Sequence, residues 1–499
     1  VATMAVMFED LDAILLATNN GSLYAVENER DDLVFASEAF ILKRFLNDKT
    51  MSRIFPGTIH HLEAGTATII NLRTLQRQNL QLLEPDVTMP LPTTTRRVVD
   101  CSPHASRISN RRLPGEGPYV LAPTFADAYP RNRQAVAMLQ RCSRCVLPAT
   151  MPFIYFDADG VCNYCRNYRP QQHLGVDALR ERLAPYRSTD GRPDCVVTFS
   201  GGRDSSYGVH FMSAVLKMNP VTYTYDWGMV TDLARRNQMR ICGKLGLEHI
   251  LVSADLAKKR LNIRRNVNAW LRRPELGTVP LFMAGDKQYF YHANRVGKQT
   301  GCTVIILCEN MLETTRFKSG FCGVPPRHGS AHTYTLSFAD KLRMMSFYIR
   351  QVVLNPAYIN PSVLDTLGAF VSYYGIPHNY VNLFQYIGWD EDEIVSTLKH
   401  EYNWEGADDT ESTWRIGDGT AAFYNYIYYT VAGFTENDTF RSNQIREGMI
   451  SRETAVACLQ RDNEPRYESM QWYCDIIGVD FERAVRSINE APKLYAHYL

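Results

Sequence analysis

The 499-residue sequence lacks an excess of either charge and lacks any long hydrophobic run. Its formal net charge is +1, which gives no reason to expect a nucleic acid or an anionic membrane as the main partner. No apolar stretch is as long as a membrane-spanning helix, and residues 1–16 have neither the charged start nor the small-residue cleavage site of a signal peptide. These absences predict a cytoplasmic protein without a membrane span.

Cysteine is also scarce: the chain has 12, too few for a disulfide scaffold. Four of them form two C-x-x-C pairs with the spacing C-x2-C-x16-C-x2-C: Cys142, Cys145, Cys162 and Cys165. Two such pairs on tight turns can hold one Zn²⁺ with four thiolates at about 2.3 Å. The spacing indicates a metal site but does not select the metal, so an iron–sulfur cluster is the alternative to zinc.

The chain is too long for one compact core, and its composition changes along its length. Short β-like runs separated by turn residues predict a β-rich domain over residues 1–84. A segment rich in Pro, Thr, Ser and Arg follows as a linker over 85–135, and the four-cysteine module covers 136–170. Alternating strand-like and helical runs predict an α/β domain over 175–330, and a helical region is expected over 331–499.

The α/β domain is predicted from four strand-like runs, "CVVTFS", "VTYTYD", "HILVSA" and "CTVIILCEN", which alternate with helical segments. Such alternation is typical of a parallel sheet with crossover helices. In an open parallel sheet, ligands bind at the carboxyl ends of the strands. The fold class predicted for this part of the chain is therefore α/β, with a binding site at that edge of the sheet.

The turn after "CVVTFS" is the strongest candidate for such a site. Its two glycines, Gly201 and Gly202, allow a positive φ and a close approach of the backbone to a ligand. Other residues of the turn add polar groups at the start of a helix: Ser200, Arg203, Asp204, Ser205 and Ser206. A helix N-terminus favours an anion, so the turn suits a phosphate chain. It matches neither G-x-x-x-x-G-K-[ST] nor G-x-S-x-G.

The segment "SGGRDS", which starts at Ser200, resembles the pyrophosphate loop of the PP-loop ATP pyrophosphatase superfamily, whose members include asparagine synthetase, NAD synthetase and tRNA-thiolating enzymes. The resemblance implies that ATP is cleaved between its α and β phosphates, that an acceptor oxygen is adenylylated, and that Mg²⁺ assists the release of pyrophosphate. It implies that the loop residues from Ser200 to Ser206 bind the nucleotide and that Asp204 is a catalytic carboxylate. Asp226, at the end of "VTYTYD", is a second candidate for the nucleotide pocket.

The cysteine module and two later segments resemble one group of this superfamily, the N-acetyl sugar amidotransferases of surface-polysaccharide biosynthesis. The matching residues are "CSRCVLPATMPFIYFDADGVCNYC", the strand end "VIILCEN" and "REGMISRETA". The resemblance implies a catalytic Glu309 and a nucleotide-linked sugar as acceptor for ammonia derived from glutamine. Cys308 stands where this group usually has glycine.

The N-terminal stretch resembles the later half of a class II glutaminase domain, through "ATNNGSLYAV", "LVFASEAFIL" and "FPGTIHHLEAGTATII". Such a glutaminase attacks glutamine with an amino-terminal cysteine whose own amine acts as the base. Here residue 1 is Val1, and the first cysteine is Cys101, inside the predicted linker. We therefore expect the catalytic half to lie upstream of Val1 in a longer chain, or on a glutaminase partner.

Other functions fit parts of the sequence. A sulfur-transfer enzyme would hold an iron–sulfur cluster in the module and carry sulfur on Cys302, Cys308 or Cys322. An enzyme similar to asparagine synthetase would amidate a carboxylate instead of a sugar. A degenerate binding subunit is a third alternative, against which the intact loop argues. Four arginines could bind the phosphates of a nucleotide-linked sugar: Arg415, Arg441, Arg446 and Arg452.

Overall fold

The computed structural model describes residues 3–82 and 128–498, apart from short gaps at 19–20, 22, 29–31, 64, 75, 284, 314–315, 327–335 and 375–378. Most of the predicted linker lies outside the described residues, and its last part begins the helix Ala128–Ala137. Among the helices that the structure describes, none is long and apolar enough to cross a membrane.

Two small antiparallel sheets form the N-terminal part, with strand orders β1-β2-β6-β7 and β4-β3-β5. Their strands are β1 (Thr3–Phe8), β2 (Ala13–Thr18), β3 (Tyr24–Glu27), β4 (Leu33–Ala36), β5 (His60–His61), β6 (Thr66–Asn71) and β7 (Arg77–Gln81). Two helices, α1 (Ala39–Leu46) and α2 (Met51–Ile54), lie between β4 and β5 in the chain. Short strands with turn residues between them thus form antiparallel pairs, because tight turns reverse the chain.

A five-stranded sheet forms the centre of the molecule, in the order β10-β9-β8-β11-β12. Its strands are β8 (Cys195–Thr198), β9 (Pro220–Asp226), β10 (His249–Ser253), β11 (Ile305–Leu307) and β12 (Tyr380–Asn382). Every neighbouring pair is parallel, which confirms the parallel α/β sheet predicted from the four strand-like runs. The fifth strand, β12, comes from the region for which the sequence predicts helices.

The strand order places β8 at the middle of the sheet. The chain passes from β8 to β9 and β10 on one side and then returns to β11 on the other side. Such a reversal opens a crevice at the carboxyl ends of the two strands that flank it. The glycine-containing loop follows β8 and therefore lies at this crevice. The strand β9 is buried along its whole length, as expected for a sheet covered on both faces.

The helices before residue 330 are α3 (Ala128–Ala137), α4 (Asn163–Arg166), α5 (Val176–Leu183), α6 (Arg203–His210), α7 (Asp232–Leu245), α8 (Leu256–Arg272), α9 (Tyr289–Thr300) and α10 (Arg316–Gly320). Helix α6 continues as a π-helix over Phe211–Val215. Helix α7 begins where the side chain of Thr231 accepts from the backbone nitrogen of Ala234, and it ends at Gly246 with φ +64°. Both ends use ordinary capping chemistry.

The C-terminal helices are α11 (Phe338–Leu354), α12 (Ser362–Tyr374), α13 (Glu391–Tyr402), α14 (Ala421–Ala432), α15 (Glu436–Arg446), α16 (Arg452–Asp462), α17 (Tyr467–Ile477) and α18 (Phe481–Glu490). Helix α14 is buried at every position except Asn425, because other elements surround it on all sides. Its residues belong to one hydrophobic core with the sheet and the cysteine module. The module therefore packs as part of the main body.

Candidate active site and metal centre

The loop after β8 requires glycine at position 201. Gly201 has φ +79°, and a Cβ built on it would lie 2.3 Å from the backbone oxygen of Ala234. The loop thus lies directly against the first turn of α7, at a distance that no other residue type permits. This contact fixes the loop at the carboxyl edge of the sheet.

Ser205 holds the loop in shape. Its Oγ accepts a hydrogen bond from the backbone nitrogen of Ser200 at 3.1 Å and donates to the carbonyl of Gly202 at 3.2 Å. Gly202 is the N-cap of α6, so the loop ends at the free N–H groups of a helix start, which favour an anion. Ser206 is fully buried, and its Oγ has no hydrogen-bond partner within the described part of the chain.

The side chain of Arg203 lies inside the protein, only 2% exposed. Its guanidinium donates to Glu391 at 2.7 Å and to Thr413 at 2.8 Å, and it lies 4.7 Å from the ring centre of Trp389. These contacts satisfy the buried charge, which would otherwise be costly. The position that the sequence assigns to nucleotide binding thus carries a side chain that anchors α6 to α13.

Asp204 and Glu313 bring two carboxylates together beside the loop. Asp204 accepts from the indole nitrogen of Trp389 at 2.8 Å, which fixes its orientation. Burial, followed by the charge of Asp204, raises the pKa of Glu313 well above its usual value. The guanidinium of Arg203 pairs with both carboxylates, at 3.1 Å from Asp204 and 3.4 Å from Glu313, and so offsets part of their negative charge. Glu313 follows a loop after β11 and carries no sequence signal of its own.

A second segment, 415–419, lies over the loop. A Cβ on Gly417 would lie 3.4 Å from the carbonyl of Ser200, and Asp418 forms an isolated β-bridge with Val230. The segment reads "RIGDG", and Arg415 adopts φ +45°, a conformation that is uncommon for a residue with a side chain. A Cβ at position 417 would also lie 3.1 Å from the Cβ of Ala234, a tight contact that favours glycine there.

Glu436 joins two cations next to this segment. Its carboxylate lies 2.5 Å from the ammonium of Lys318 and 3.5 Å from Nε of Arg415, and it accepts from the hydroxyl of Tyr424 at 2.7 Å. Although burial opposes ionisation, the charges of Arg415 and Lys318 lower the pKa of Glu436 to about 2. Lys318 and Glu436 were not predicted, because their elements are far apart in the chain and neither lies in a recognisable motif.

Asp226 and Glu309 both lie at the carboxyl edge of the sheet, but in different surroundings. Asp226 is buried, pairs with Arg235, and accepts from the backbone nitrogen of Gly228 at 2.8 Å. Glu309 is exposed and accepts from the hydroxyl of Tyr289 at 3.2 Å. Asp226 therefore stabilises the turn after β9, whereas the carboxylate of Glu309 is accessible to a substrate.

The four cysteines of the module form one compact, buried group, with their sulfur atoms all within 4.8 Å of one another. The sulfurs of Cys142 and Cys165 are 3.9 Å apart, and those of Cys145 and Cys162 are 3.8 Å apart. Four thiolates bound tetrahedrally at about 2.3 Å have sulfurs about 3.8 Å apart. The donor set thus fits a single ion. A four-iron cluster attaches each sulfur to a different iron and needs wider spacing.

Arginines hold the module against the C-terminal helices. Arg446 donates to the sulfurs of Cys145 at 3.3 Å and Cys165 at 3.4 Å, and Arg452 donates to the carbonyl of Cys145 at 3.1 Å. Arg441 pairs with acidic residues inside the protein. Of the four arginines proposed as phosphate ligands from the sequence, Arg415 lies in the segment over the loop, and the other three have these structural contacts.

The three thiols considered as sulfur carriers are all buried: Cys302, Cys308 and Cys322. Cys308 packs under α6, because a Cβ on Gly208 would lie 2.1 Å from its sulfur. Burial raises the pKa of each of the three thiols. A neutral, enclosed thiol is a poor nucleophile.

No protein-family model and no curated protein matches the chain. Among solved structures, it is similar to an NH3-dependent NAD synthetase from Campylobacter jejuni, with 13% identity and a TM-score of 0.20, over 40% of this chain and 94% of that one. It is also similar to the U34-tRNA thiolase NcsA from Methanococcus maripaludis with its [4Fe-4S] cluster, with 13% identity and a TM-score of 0.26, over 68% of this chain and 89% of that one. Both TM-scores are low.

Proposed function

We propose that this protein is an ATP-dependent, AMP-forming amidotransferase of the PP-loop type. The observation that carries the proposal is the loop at Gly201, held at the switch point of a parallel sheet between the carboxylates of Asp204 and Glu313 and the segment 415–419. Backbone N–H groups at the start of α6 and the hydroxyl of Ser200 would donate to the phosphates that leave as pyrophosphate. Three cations lie near the site: Arg203, which pairs with both carboxylates, and Arg415 and Lys318, which pair with Glu436.

The carboxylates of Asp204 and Glu313 fit a magnesium ion that arrives with ATP. Hard carboxylate oxygens together with phosphate oxygens are the ligands that this ion prefers. Burial, followed by the charge of Asp204, raises the pKa of Glu313, and a magnesium ion would add to the positive charge that Arg203 already supplies to both carboxylates. When bound, magnesium supplies positive charge to the departing pyrophosphate.

The acceptor that we propose is the acetamido group of a nucleotide-linked N-acetyl sugar. Its amide oxygen attacks the α-phosphorus of ATP, the bond from that phosphorus to the bridging oxygen breaks, and pyrophosphate leaves. Ammonia then attacks the activated carbon, a proton passes to Glu309, and AMP leaves with the former amide oxygen, so an amidine forms. Support comes from the resemblance of the cysteine module, and from the exposed carboxylate of Glu309 at the end of a strand adjacent to β8.

The ammonia is proposed to come from glutamine, through a glutaminase that the N-terminal resemblance suggests. A small uncharged nucleophile suits a crevice already occupied by ATP and an acceptor. Free ammonium should replace glutamine as the nitrogen source when no glutaminase is present. The activity of the protein with ammonium should then rise with pH, because NH₃ and not NH₄⁺ is the nucleophile.

For the cysteine module we propose a single zinc ion with a structural role. The four sulfurs are buried and close enough for one tetrahedral ion, and Arg446 offsets the negative charge of the thiolates. Sulfur transfer is less well supported, since it needs an accessible sulfur carrier. Cys302, Cys308 and Cys322 are all enclosed.

The test follows the acceptor oxygen. The protein is incubated with ATP, ammonium and a panel of nucleotide-linked N-acetyl sugars carrying oxygen-18 in the acetamido group. We expect AMP and pyrophosphate in equal amounts, only when an accepted sugar is present, with the label in AMP. Formation of ADP and phosphate would refute adenylylation. Label that stays in the sugar would refute activation of this oxygen.

A further inference from the structure

Arg415, in the segment over the loop, has a guanidinium that is accessible and only partly paired. Its side chain is 32% exposed, and its ion pair with Glu436 runs through Nε at 3.5 Å without a hydrogen bond. Within the described residues, the two terminal nitrogens of this guanidinium donate to no protein group. Such a pair of nitrogens forms a planar fork that matches two oxygens of a phosphate. The fork of Arg415 is therefore available to a ligand.

Glu436 is too little negative charge for the cations beside it. The carboxylate lies 2.5 Å from the ammonium of Lys318 and 3.5 Å from Nε of Arg415, so one acid is shared between two cations. The three side chains together carry one positive charge in excess. A partly buried excess charge is costly unless a counterion joins it, so this cluster suits an anion.

Two further acids are close enough for their charges to act on Arg415, namely Glu313 and Asp418. Both are engaged elsewhere: Glu313 pairs with Arg203 at 3.4 Å, and Asp418 accepts from the hydroxyl of Thr420 at 2.6 Å. They leave the fork of Arg415 unoccupied. Because Glu313 lies beside the loop, its proximity also places Arg415 next to the candidate active site.

The backbone of the segment is held at two points by the turn after β9. The nitrogen of Thr231 donates to the carbonyl of Gly417 at 3.3 Å, and the nitrogen of Gly419 donates to the carbonyl of Met229 at 2.9 Å. Arg415 keeps its φ of +45° on this fixed segment. Uncommon backbone conformations persist where the surroundings fix them, and they cluster at ligand-binding positions. The guanidinium is thus presented from a rigid element.

We propose that Arg415 binds the phosphate chain of ATP through its two terminal nitrogens. This inference rests on the proposed function, which places ATP in the loop. The segment 415–419 covers the loop, so phosphates held there lie within reach of the guanidinium. Negative charge grows on the phosphate oxygens as pyrophosphate leaves, and a fixed cation stabilises that charge. A nucleotide-linked sugar offers the same chemistry, and binding of an ATP analogue alone distinguishes the two sources.

The first experiment is calorimetric titration with α,β-methylene-ATP and magnesium, which needs no acceptor and allows no turnover. We expect Arg415→Gln to bind roughly ten- to a hundredfold more weakly than the wild type, because a charge-assisted bidentate contact is lost. Arg415→Lys keeps the charge without the fork and should have intermediate affinity. Arg461→Gln is the matched control, since Arg461 is 55% exposed and pairs with one acid, Glu411. Melting temperatures verify that each variant is folded.

Unchanged affinity of folded Arg415→Gln for the analogue would overturn the proposal. A wild type that does not bind the analogue would refute the ATP site itself, so failure of the proposed function is recognised separately. If the analogue binds Arg415→Gln normally and only the KM for the nucleotide-linked sugar rises, Arg415 holds the phosphates of the acceptor, which also overturns the proposal.

The second experiment measures pyrophosphate release by Arg415→Ala with and without added guanidinium ion. We expect a higher KM for ATP, a lower kcat and an unchanged KM for the sugar. Free guanidinium, at concentrations that leave the protein folded, should restore part of the rate, because the ion can occupy the space that the side chain leaves. A folded Arg415→Ala variant that loses activity without any rescue would indicate a structural role and would count against phosphate binding.

Discussion

The guanidinium of Arg446 donates to the sulfur of Cys145 at 3.3 Å and so joins the cysteine module to helix α15. The same side chain donates to Asn443 at 2.7 Å, and Asn443 donates to the backbone oxygen of Leu312 at 2.6 Å. Leu312 precedes Glu313, whose carboxylate lies beside the loop. Three hydrogen bonds and one peptide bond therefore connect the sulfur of Cys145 with Glu313 in the candidate active site.

Loss of one module cysteine should remove the metal and destabilise the protein. Cys142→Ser leaves three thiolates, and a four-thiolate site loses much of its binding free energy with one ligand. We expect about one zinc per chain in the wild type, little in the variant, and a melting temperature lower by several degrees. Elemental analysis measures the zinc content, and calorimetry measures the melting temperature. Cys458→Ser, at a partly exposed thiol outside the module, should change neither, and retained metal in Cys142→Ser would contradict the assignment.

Asn443→Ala should lower the activity of the protein without lowering its metal content. The substitution cuts the link between Arg446 and Leu312 but leaves all four sulfurs in place. We expect normal metal content and a fall in kcat/KM of roughly tenfold, because Glu313 is less well positioned. Asn489→Ala, in α18 and hydrogen-bonded to Tyr426, is the control. Equal effects of the two variants would argue against the coupling.

Asp204→Asn should abolish formation of AMP and pyrophosphate while the fold remains intact. The amide keeps the shape and can still pair with Trp389, but it lacks the charge needed near a bound cation. We expect a loss of at least roughly a hundredfold in rate, measured by pyrophosphate release. Asp232→Asn, in the first turn of the neighbouring helix α7, serves as the control with full activity. Persistent activity of Asp204→Asn would remove this residue from the mechanism.

Gly201→Ala should lower the free energy of unfolding by more than the strain of a positive φ alone. At Gly246, which has φ +64° and no atom within 4 Å of a built Cβ, alanine should cost about 1 kcal/mol of unfolding free energy. At Gly201 the same change adds a clash with the backbone of Ala234 and displaces the loop. We expect a larger loss of stability together with loss of ATP binding, read by urea unfolding and calorimetric titration. Similar behaviour of both variants would show that the close approach is unimportant.

The stability of the protein should fall in acid through Glu436. Its folded-state pKa is about 2, below the ordinary value of 4.5. Because the folded-state pKa is the lower one, this contribution is fully present above about pH 4.5 and is lost as the pH falls toward 2. The shift corresponds to about 3 kcal/mol at neutral pH. In urea unfolding, Glu436→Gln should be less stable than the wild type at pH 7, and its stability should fall less in acid. Parallel curves of stability against pH for the two proteins would contradict this.

The parts of the molecule that the sequence predicts well are those encoded by neighbouring residues. Four strand-like runs gave four parallel strands, since buried β-branched runs between helices leave little choice. The four cysteines come together because each C-x-x-C pair already fixes two ligands on one turn. The loop at Gly201 was predicted from its own glycines and hydroxyls.

The remaining features depend on contacts between distant segments. The strand β12 has three residues, too few to show a period, and it pairs with β11 because the tertiary fold brings it there. Glu436, Lys318 and Arg415 meet from three separate elements, so no spacing could have grouped them. The direction of the Arg203 side chain was set by Glu391, which lies far along the chain.

Cys308 and Gly208 fill one shared space between the sheet and the helix above it. A Cβ at position 208 would lie 2.1 Å from the sulfur of Cys308. The space between the two positions therefore holds the side chain of only one of them. Substitution at either position alone would leave a clash or a void, whereas a glycine at 308 would make room for alanine at 208. The unusual cysteine is therefore one half of a size-matched pair, and in related sequences the two positions should vary together.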